Sequence, residues 1–343
     1  MGEATGIEIK GLYKIFGPNG EDMVQKIKDG MSKAELNEKF NHVLGLNDIN
    51  ISMPGGKIQV VMGLSGSGKS TLIRHINRLI DPTAGEVLYG DEDVCKMSQS
   101  ELRQFRRHKT AMVFQKFALL PHRTVIKNAV YGLEIQGVPI KEAEARASRW
   151  IARVGLEGFE DHYPNQLSGG MQQRVGLARA LTNDADILLM DEAFSALDPL
   201  IRMDMQSVLL DLQEELHKTI VFITHDLDEA LRLGDKISIL RDGAVIQQGT
   251  GQEIVLQPAD SYIADFVKEV NRGRVIIVDT VMDKTKTLED GPTISSGIML
   301  EEAARTFADT GHGEANVVNQ EGTPIGVLNV HDTIYAMVTP ATH

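Results

Sequence analysis

Gly63-Leu64-Ser65-Gly66-Ser67-Gly68-Lys69-Ser70 has the spacing G-x-x-x-x-G-K-[ST], and the rest of the chain is read outward from it. Ahead of it, Ile58-Gln59-Val60-Val61-Met62 has the composition of a buried strand. Behind it, Leu72, Ile73, Ile76, Leu79 and Ile80 recur at helical spacing until Asp81-Pro82 ends the run. Strand, glycine-rich loop and helix form the arrangement that cradles a nucleoside triphosphate. Glycines let the backbone close around phosphates so that several N–H groups point at one anion, and the helix N-terminus adds positive potential. Gly63, Ser65, Gly66, Ser67, Gly68, Lys69, Ser70 and Thr71 are therefore expected to line a nucleotide site. Lys69 is expected to reach the β- and γ-phosphates, and the Ser70 hydroxyl to hold Mg²⁺.

A length of 343 residues allows two domains, and 42% apolar residues describe an ordinary globular chain. No uncharged apolar run approaches the ~20 residues that span a bilayer, and no basic stretch followed by an apolar one marks the N-terminus as an export signal. Cys95 is the one cysteine, so no intramolecular disulfide forms and a reducing compartment is expected. A net charge of −13 argues against nucleic acid as a partner.

Ile7 to Leu12 alternates like an edge strand and leads to Tyr13 and Phe16. Residues 21–43 carry charges of both signs among Met23, Val24, Ile27, Met31, Leu36, Phe40 and Val43, which predicts one or two amphipathic helices broken near Gly30. Leu46 to Met53 returns to strand-like alternation. Residues 100 to about 165 read as mostly helical, most clearly Lys141 to Val154. Ile187 to Met190 and Thr219 to Thr224 are continuous apolar runs of the kind found in parallel strands buried on both faces. Asp198-Pro199 fits an N-cap and first helical residue, with Ile201, Met205, Val208, Leu212 and Leu216 along one face behind it. Arg241-Asp242-Gly243-Ala244 reads as a tight hairpin. Strands alternating with helices favour an α/β core with a parallel sheet. Residues 275–343 hold three Lys/Arg and ten Asp/Glu, and this shift in character places a boundary near 272/273.

Met190-Asp191-Glu192 closes one of the buried runs. An aspartate there can hold Mg²⁺ through water, and the adjacent glutamate can act as general base on an attacking water. Leu167-Ser168-Gly169-Gly170-Met171-Gln172-Gln173-Arg174 offers a hydroxyl and bare amides at a helix start. With these segments in this order, the chain resembles an ATP-binding cassette (ABC) protein over about residues 7–255. The resemblance implies an α/β P-loop fold, with a RecA-like core, an antiparallel β subdomain and a helical subdomain. It makes Gln115 the Q-loop residue, on nucleotide and Mg²⁺, Ser195-Ala196-Leu197-Asp198 the D-loop, and His225 the switch histidine. Phe16 matches the aromatic that stacks on adenine, with Tyr13 the nearby alternative. In such proteins two copies face head to tail, so ATP sits between one copy's phosphate loop and the other's Ser168, Gly169 and Gly170. Met171 stands where the family usually has Gln. Lys69, Glu192 and His225 are the implied catalytic set, Ser70, Gln115 and Asp191 the implied Mg²⁺ set, and Asp198 joins the cofactor-binding residues.

The insertion at 21–43, Phe117-Ala118-Leu119-Leu120-Pro121-His122 and Asp191 to Arg202 narrow the resemblance to ATPases of glycine betaine and proline importers, with choline and histidine importers close by. That implies a homodimer on the cytoplasmic face of the plasma (inner) membrane, integral membrane permease subunits as partners, and a substrate-binding protein acting through them. A soluble non-transport ABC ATPase and an exporter motor are the alternatives. Residues 273–343 resemble a single cystathionine-β-synthase (CBS) motif in Gly326-Val327-Leu328-Asn329-Val330-His331-Asp332, with Asn329 where that motif has a hydroxyl residue. Nucleotide sensing by this tail stands against a dimerising or structural role.

Overall fold

The alternation that begins at Ile7 runs on to Phe16 as strand β1 (Ile7–Phe16). Helices α1 (Glu21–Lys28) and α2 (Lys33–Phe40) follow, separated around Gly30 as the sequence predicts. Next come β2 (Val43–Met53), β3 (Ile58–Met62), α3 (Lys69–Ile76), β4 (Ala84–Tyr89) and β5 (Glu92–Asp93). The middle of the chain supplies α4 (Gln99–His108), β6 (Thr110–Val113), α5 (Val125–Ala129), α6 (Tyr131–Gln136), α7 (Ile140–Arg153) and α8 (Gly169–Thr182). Then β7 (Ile187–Asp191), α9 (Pro199–Leu216), β8 (Thr219–Thr224), α10 (Leu227–Leu233), β9 (Lys236–Arg241) and β10 (Ala244–Gly249) complete the first part. This is a computed structural model; it describes residues 4–115, 117–195 and 197–338, so Ala196 of the expected D-loop lies outside the described residues.

Six strands in the order β10-β9-β3-β8-β7-β6 form one sheet, parallel from β9 to β6. Its central strands β3, β7 and β8 are buried along their whole length. β9 and β10 are joined by Asp242 (φ 53°) and Gly243 (φ 85°), the two positive-φ residues of a tight hairpin turn. A second sheet has the order β2-β1-β4-β5. β1 is therefore not an edge strand: it pairs antiparallel with β2 on one side and β4 on the other. Leu72, Ile73 and Ile76 of α3 share one core with Ile9, Leu12 and Ile49 of the second sheet and Val61, Leu189 and Val221 of the first. The helix behind the phosphate loop is thus clamped between two sheets.

Other expectations need correction. α3 ends at Ile76, and Leu79 is half exposed, because Asn77 caps the helix before the Asp81-Pro82 stop. The span read as helical contains β6, a strand of the main sheet. On α9 the buried positions are Met205, Gln206, Leu209 and Leu212, while Ile201, Val208 and Leu216 are only partly covered. Tyr13 is buried with Ile15, Val24, Ile27, Leu36 and Leu44 in a small core between the insertion and the second sheet.

Packing divides the chain at Gln248/Gly249, ahead of the 272/273 boundary read from charge. The second unit contains α11 (Gly251–Leu256), α12 (Ser261–Val267), α13 (Val278–Val281), β11 (Thr293–Ser295), α14 (Leu300–Thr310), β12 (Glu314–Val318), β13 (Pro324–Asn329) and α15 (Val330–Val338). Its sheet has the order β11-β12-β13, and Ile276, Val278, Ile294, Phe307, Val317 and Leu328 fill its core.

Candidate nucleotide-hydrolysing site

The loop between β3 and α3 turns through Gly63 (φ 152°), Gly66 (φ 80°) and Gly68 (φ 103°). A Cβ on Gly63 would lie 2.2 Å from the Leu240 carbonyl oxygen, and one on Gly68 2.8 Å from that of Gly45, so both positions reject a side chain. A Cβ on Gly66 would meet nothing within 4 Å, so the loop is open there. Gly68 caps α3 and puts Lys69 at its first position. The buried Lys69 ammonium donates to the carbonyls of Gly63 (2.7 Å) and Leu64 (3.0 Å) and lies 3.9 Å from Glu192 Oε1. Burial pulls its pKa down, while Glu192 and Asp191 pull it back up. The Ser67 hydroxyl is buried and has no hydrogen-bond partner among the described residues. An open glycine turn, a desolvated cation and an unpartnered hydroxyl on one loop fit a bound polyphosphate.

Asp191 ends β7 beside Ile223 of β8. It accepts from Ser70 Oγ at 2.8 Å and from Arg74 Nη2 at 3.4 Å. A hydroxyl and a carboxylate this close are the oxygen donors that a hard divalent cation takes. Glu192, next in the chain, has φ 47°. This left-handed conformation is held from both sides. Its N–H donates to the Ile223 carbonyl (3.1 Å), and its carbonyl accepts from the N–H (3.2 Å) and hydroxyl (2.9 Å) of Ser195. The Glu192 carboxylate accepts from Gln115 Nε2 at 2.9 Å and stands 3.6 Å from His225 Nδ1. Three residues from separate parts of the sequence, Lys69, Gln115 and His225, thus converge on one acid.

Phe16 is 41% exposed at the end of β1 and lines the same cleft of about 430 Å³ as Ser65, Gly66, Gly68, Lys69, Ser70, Thr71, Gln115 and Glu192. The Lys14 ammonium sits 5.1 Å from the Phe16 ring centroid. Tyr13 is enclosed in the insertion's core, so the exposed ring at the cleft is that of Phe16. Lys33, Val43 and Leu44 also line this cleft, and no sequence pattern marks them as wall residues. The place of Val43 and Leu44 follows from strand register, which pairs Phe16 with Val43 and Ile15 with Leu44 and is not readable from either strand alone, while Lys33 comes from the start of α2.

Ser168, Gly169, Gly170 and Asp198 do not join this cleft. They line a second one, of about 410 Å³, with Gly155, Arg174 and Leu197. Ser168 caps α8: its hydroxyl accepts from the Met171 N–H at 3.3 Å, which leaves its own hydrogen free to donate. Asp198 caps α9 by accepting from the Ile201 N–H at 3.1 Å.

A phosphate-cradling loop facing two strand-end carboxylates is the equipment of a P-loop nucleotide hydrolase. A family profile described as ABC transporter matches residues 46–195. The glycine betaine transport ATP-binding protein OpuAA of Bacillus subtilis is 51% identical over 85% of this chain and 71% of its own length. The glycine betaine/proline betaine transport system ATP-binding protein ProV of Escherichia coli is 50% identical over 82% and 70%. The ATP-binding cassette MJ0796, solved as a dimer in a post-hydrolysis state bound to ADP and Pi, superimposes with a TM-score of 0.62 at 33% identity, over 71% of this chain and 98% of its own. The chain belongs to the ABC transporter ATP-binding proteins, has their cassette fold, and is an ATPase that binds ATP.

Proposed function

We propose that the chain is the motor of an importer for small methylated zwitterions of the glycine betaine type. Relatives at 46–51% identity are named for transport of glycine betaine, carnitine, proline betaine and trimethylamine N-oxide, compounds that share a methylated nitrogen and an anionic oxygen. The separation of the two clefts supports a head-to-tail homodimer, in which Ser168 and Gly170 of one copy complete the Lys69 cleft of the other. The dimer works at the cytoplasmic face of the membrane on permease subunits, which receive cargo from a binding protein. No helix among the described residues is long and apolar enough to cross a membrane.

The convergence on Glu192 carries the mechanism. Lys69 and the loop amides hold the phosphates of ATP, and Phe16 stacks on its base. Ser70, Gln115 and Asp191 would hold Mg²⁺, which when bound would supply charge neutralisation at the phosphates. Glu192, fixed by Ser195 and Ile223, orients the attacking water and takes its proton. His225, whose Nδ1 stands 3.6 Å from the same carboxylate, contacts the terminal phosphate. Positioning and electrostatics do most of the work.

For the C-terminal unit we propose a structural or dimerising role. Asn329 Oδ1 accepts from the His331 N–H at 2.7 Å, and its amide donates to Glu314 at 3.3 Å, so this side chain is occupied inside the unit. The reconstituted transporter tests the cargo reading. Glycine betaine with its binding protein is expected to stimulate ATP hydrolysis several-fold over proline or histidine, and equal responses to all would contradict it.

A further inference from the structure

Arg202 lies in the first turns of α9, just behind the Asp198 cap. Its Nη2 donates to the carbonyl of Leu197 at 3.2 Å, and its Nη1 donates to Oδ2 of Asp226 at 3.2 Å. Leu197 is a wall of the Ser168 cleft, whereas Asp226 directly follows His225. The loop carrying His225 is also held from its other side. The Asp226 N–H donates to Thr224 Oγ1 (3.0 Å), Asp226 Oδ1 accepts from the Glu229 N–H (3.1 Å), and the buried Glu229 carboxylate accepts from Thr224 and Gln206. The Thr224 and Glu229 bonds anchor the loop to its own strand and helix, and Gln206 ties that helix to α9; Arg202 links the loop itself to the other cleft. The third donor of Arg202, Nε, is buried with no partner among the described residues, a cost that an arginine serving only to pack would avoid.

We propose that Arg202 is a positioning residue that joins the wall presented to the second copy with the loop bearing His225. A nucleotide pressed against Ser168 and Asp198 from the facing copy then sets the histidine of this copy's own hydrolytic site. Only a guanidinium does this, because its planar fork reaches two acceptors on two loops while an ammonium is a single point of charge. The inference rests on the head-to-tail reading above.

Steady-state ATPase rates of the full chain test it, with Arg202→Ala, Arg202→Lys, Asp226→Asn and the Ala/Asn double variant. Arg202→Ala is expected to lower kcat at least tenfold while KM for ATP and the affinity for a non-hydrolysable ATP analogue stay within twofold. Asp226→Asn is expected to behave alike, and the double variant to fall no further than the worse single. Arg202→Lys is expected to keep the wild-type melting midpoint but not the rate; should the Ala variant not fold, Arg202→Gln takes its place. An unchanged kcat, losses that multiply in the double variant, or full recovery of the rate by Lys would each overturn the proposal. Ser168→Ala distinguishes a deeper failure: full turnover in that variant removes the head-to-tail reading itself.

Discussion

At the residue scale the account turns on Glu192. A left-handed backbone at a glutamate is uncommon, and here three hydrogen bonds to that one residue hold it. The carboxylate is thereby fixed between Gln115 and His225. Glu192→Gln keeps the shape and the amide contacts but cannot accept a proton. We expect it to retain ATP affinity and to lose turnover by about 10²- to 10⁴-fold, the range a positioned general base contributes; stopped-flow binding and a phosphate-release assay measure the two separately. Residue types were legible at this scale because the phosphate loop and the Asp-Glu pair are local patterns. The Arg74–Asp191 contact was not legible, since it joins residues brought together only when α3 is clamped beside β7.

At the element scale, α3 carries the phosphate loop's first helical residue at one end and the fully buried His75 near the other. His75 Nδ1 donates to the Thr71 carbonyl at 2.7 Å, and Nε2 is buried with no partner among the described residues. Burial lowers its pKa from an ordinary 6.5 to about 4. In the unfolded chain the ring takes a proton below pH 6.5, whereas the folded protein resists protonation until about pH 4. The stability that depends on the neutral ring is therefore complete above pH 6.5 and is lost as pH falls toward 4, on the order of 3 kcal/mol in all. Urea denaturation at pH 7.5, 6 and 5 is expected to show His75→Gln losing less stability with acidification than the wild-type chain. Parallel slopes for the two proteins would contradict this assignment.

Elements were readable where their pattern was long or their termini carried caps. The Asp198-Pro199 start of α9 and the Asp242-Gly243 turn are clear because their chemistry is local. Strand β6 escaped because four residues, Thr110 to Val113, carry too little periodicity to stand out from the helices around them. β1 read as an edge because alternation reports which face is buried, not how many neighbours a strand has. Register shifts at Gly11 (φ 52°) further interrupt its pattern.

At the scale of the whole molecule, packing divides the chain at Gln248/Gly249 while charge changes only after residue 272. Composition follows solvent exposure, whereas unit boundaries follow the core. Ile276 and Val278 belong to the core of the second unit, so a cut near residue 274 leaves α11 and α12 without the Ile276–Leu328 core. A chain ending at Gln248 is expected to keep ATPase activity and a cooperative melt. One ending at Arg274 is expected to melt earlier and aggregate more readily, which calorimetry and light scattering detect.

The two clefts are the property of the whole molecule that bears most on function. Lys69 and Glu192 line one, Ser168 and Asp198 the other, and no single copy brings them together. Multi-angle light scattering of the Glu192→Gln chain with ATP and Mg²⁺, run beside its Ser168→Ala counterpart, measures this directly. The account predicts that the mass doubles on adding nucleotide and that the doubling is lost when Ser168 is also replaced. A chain that stays monomeric with ATP bound, or a dimer indifferent to Ser168, would contradict it.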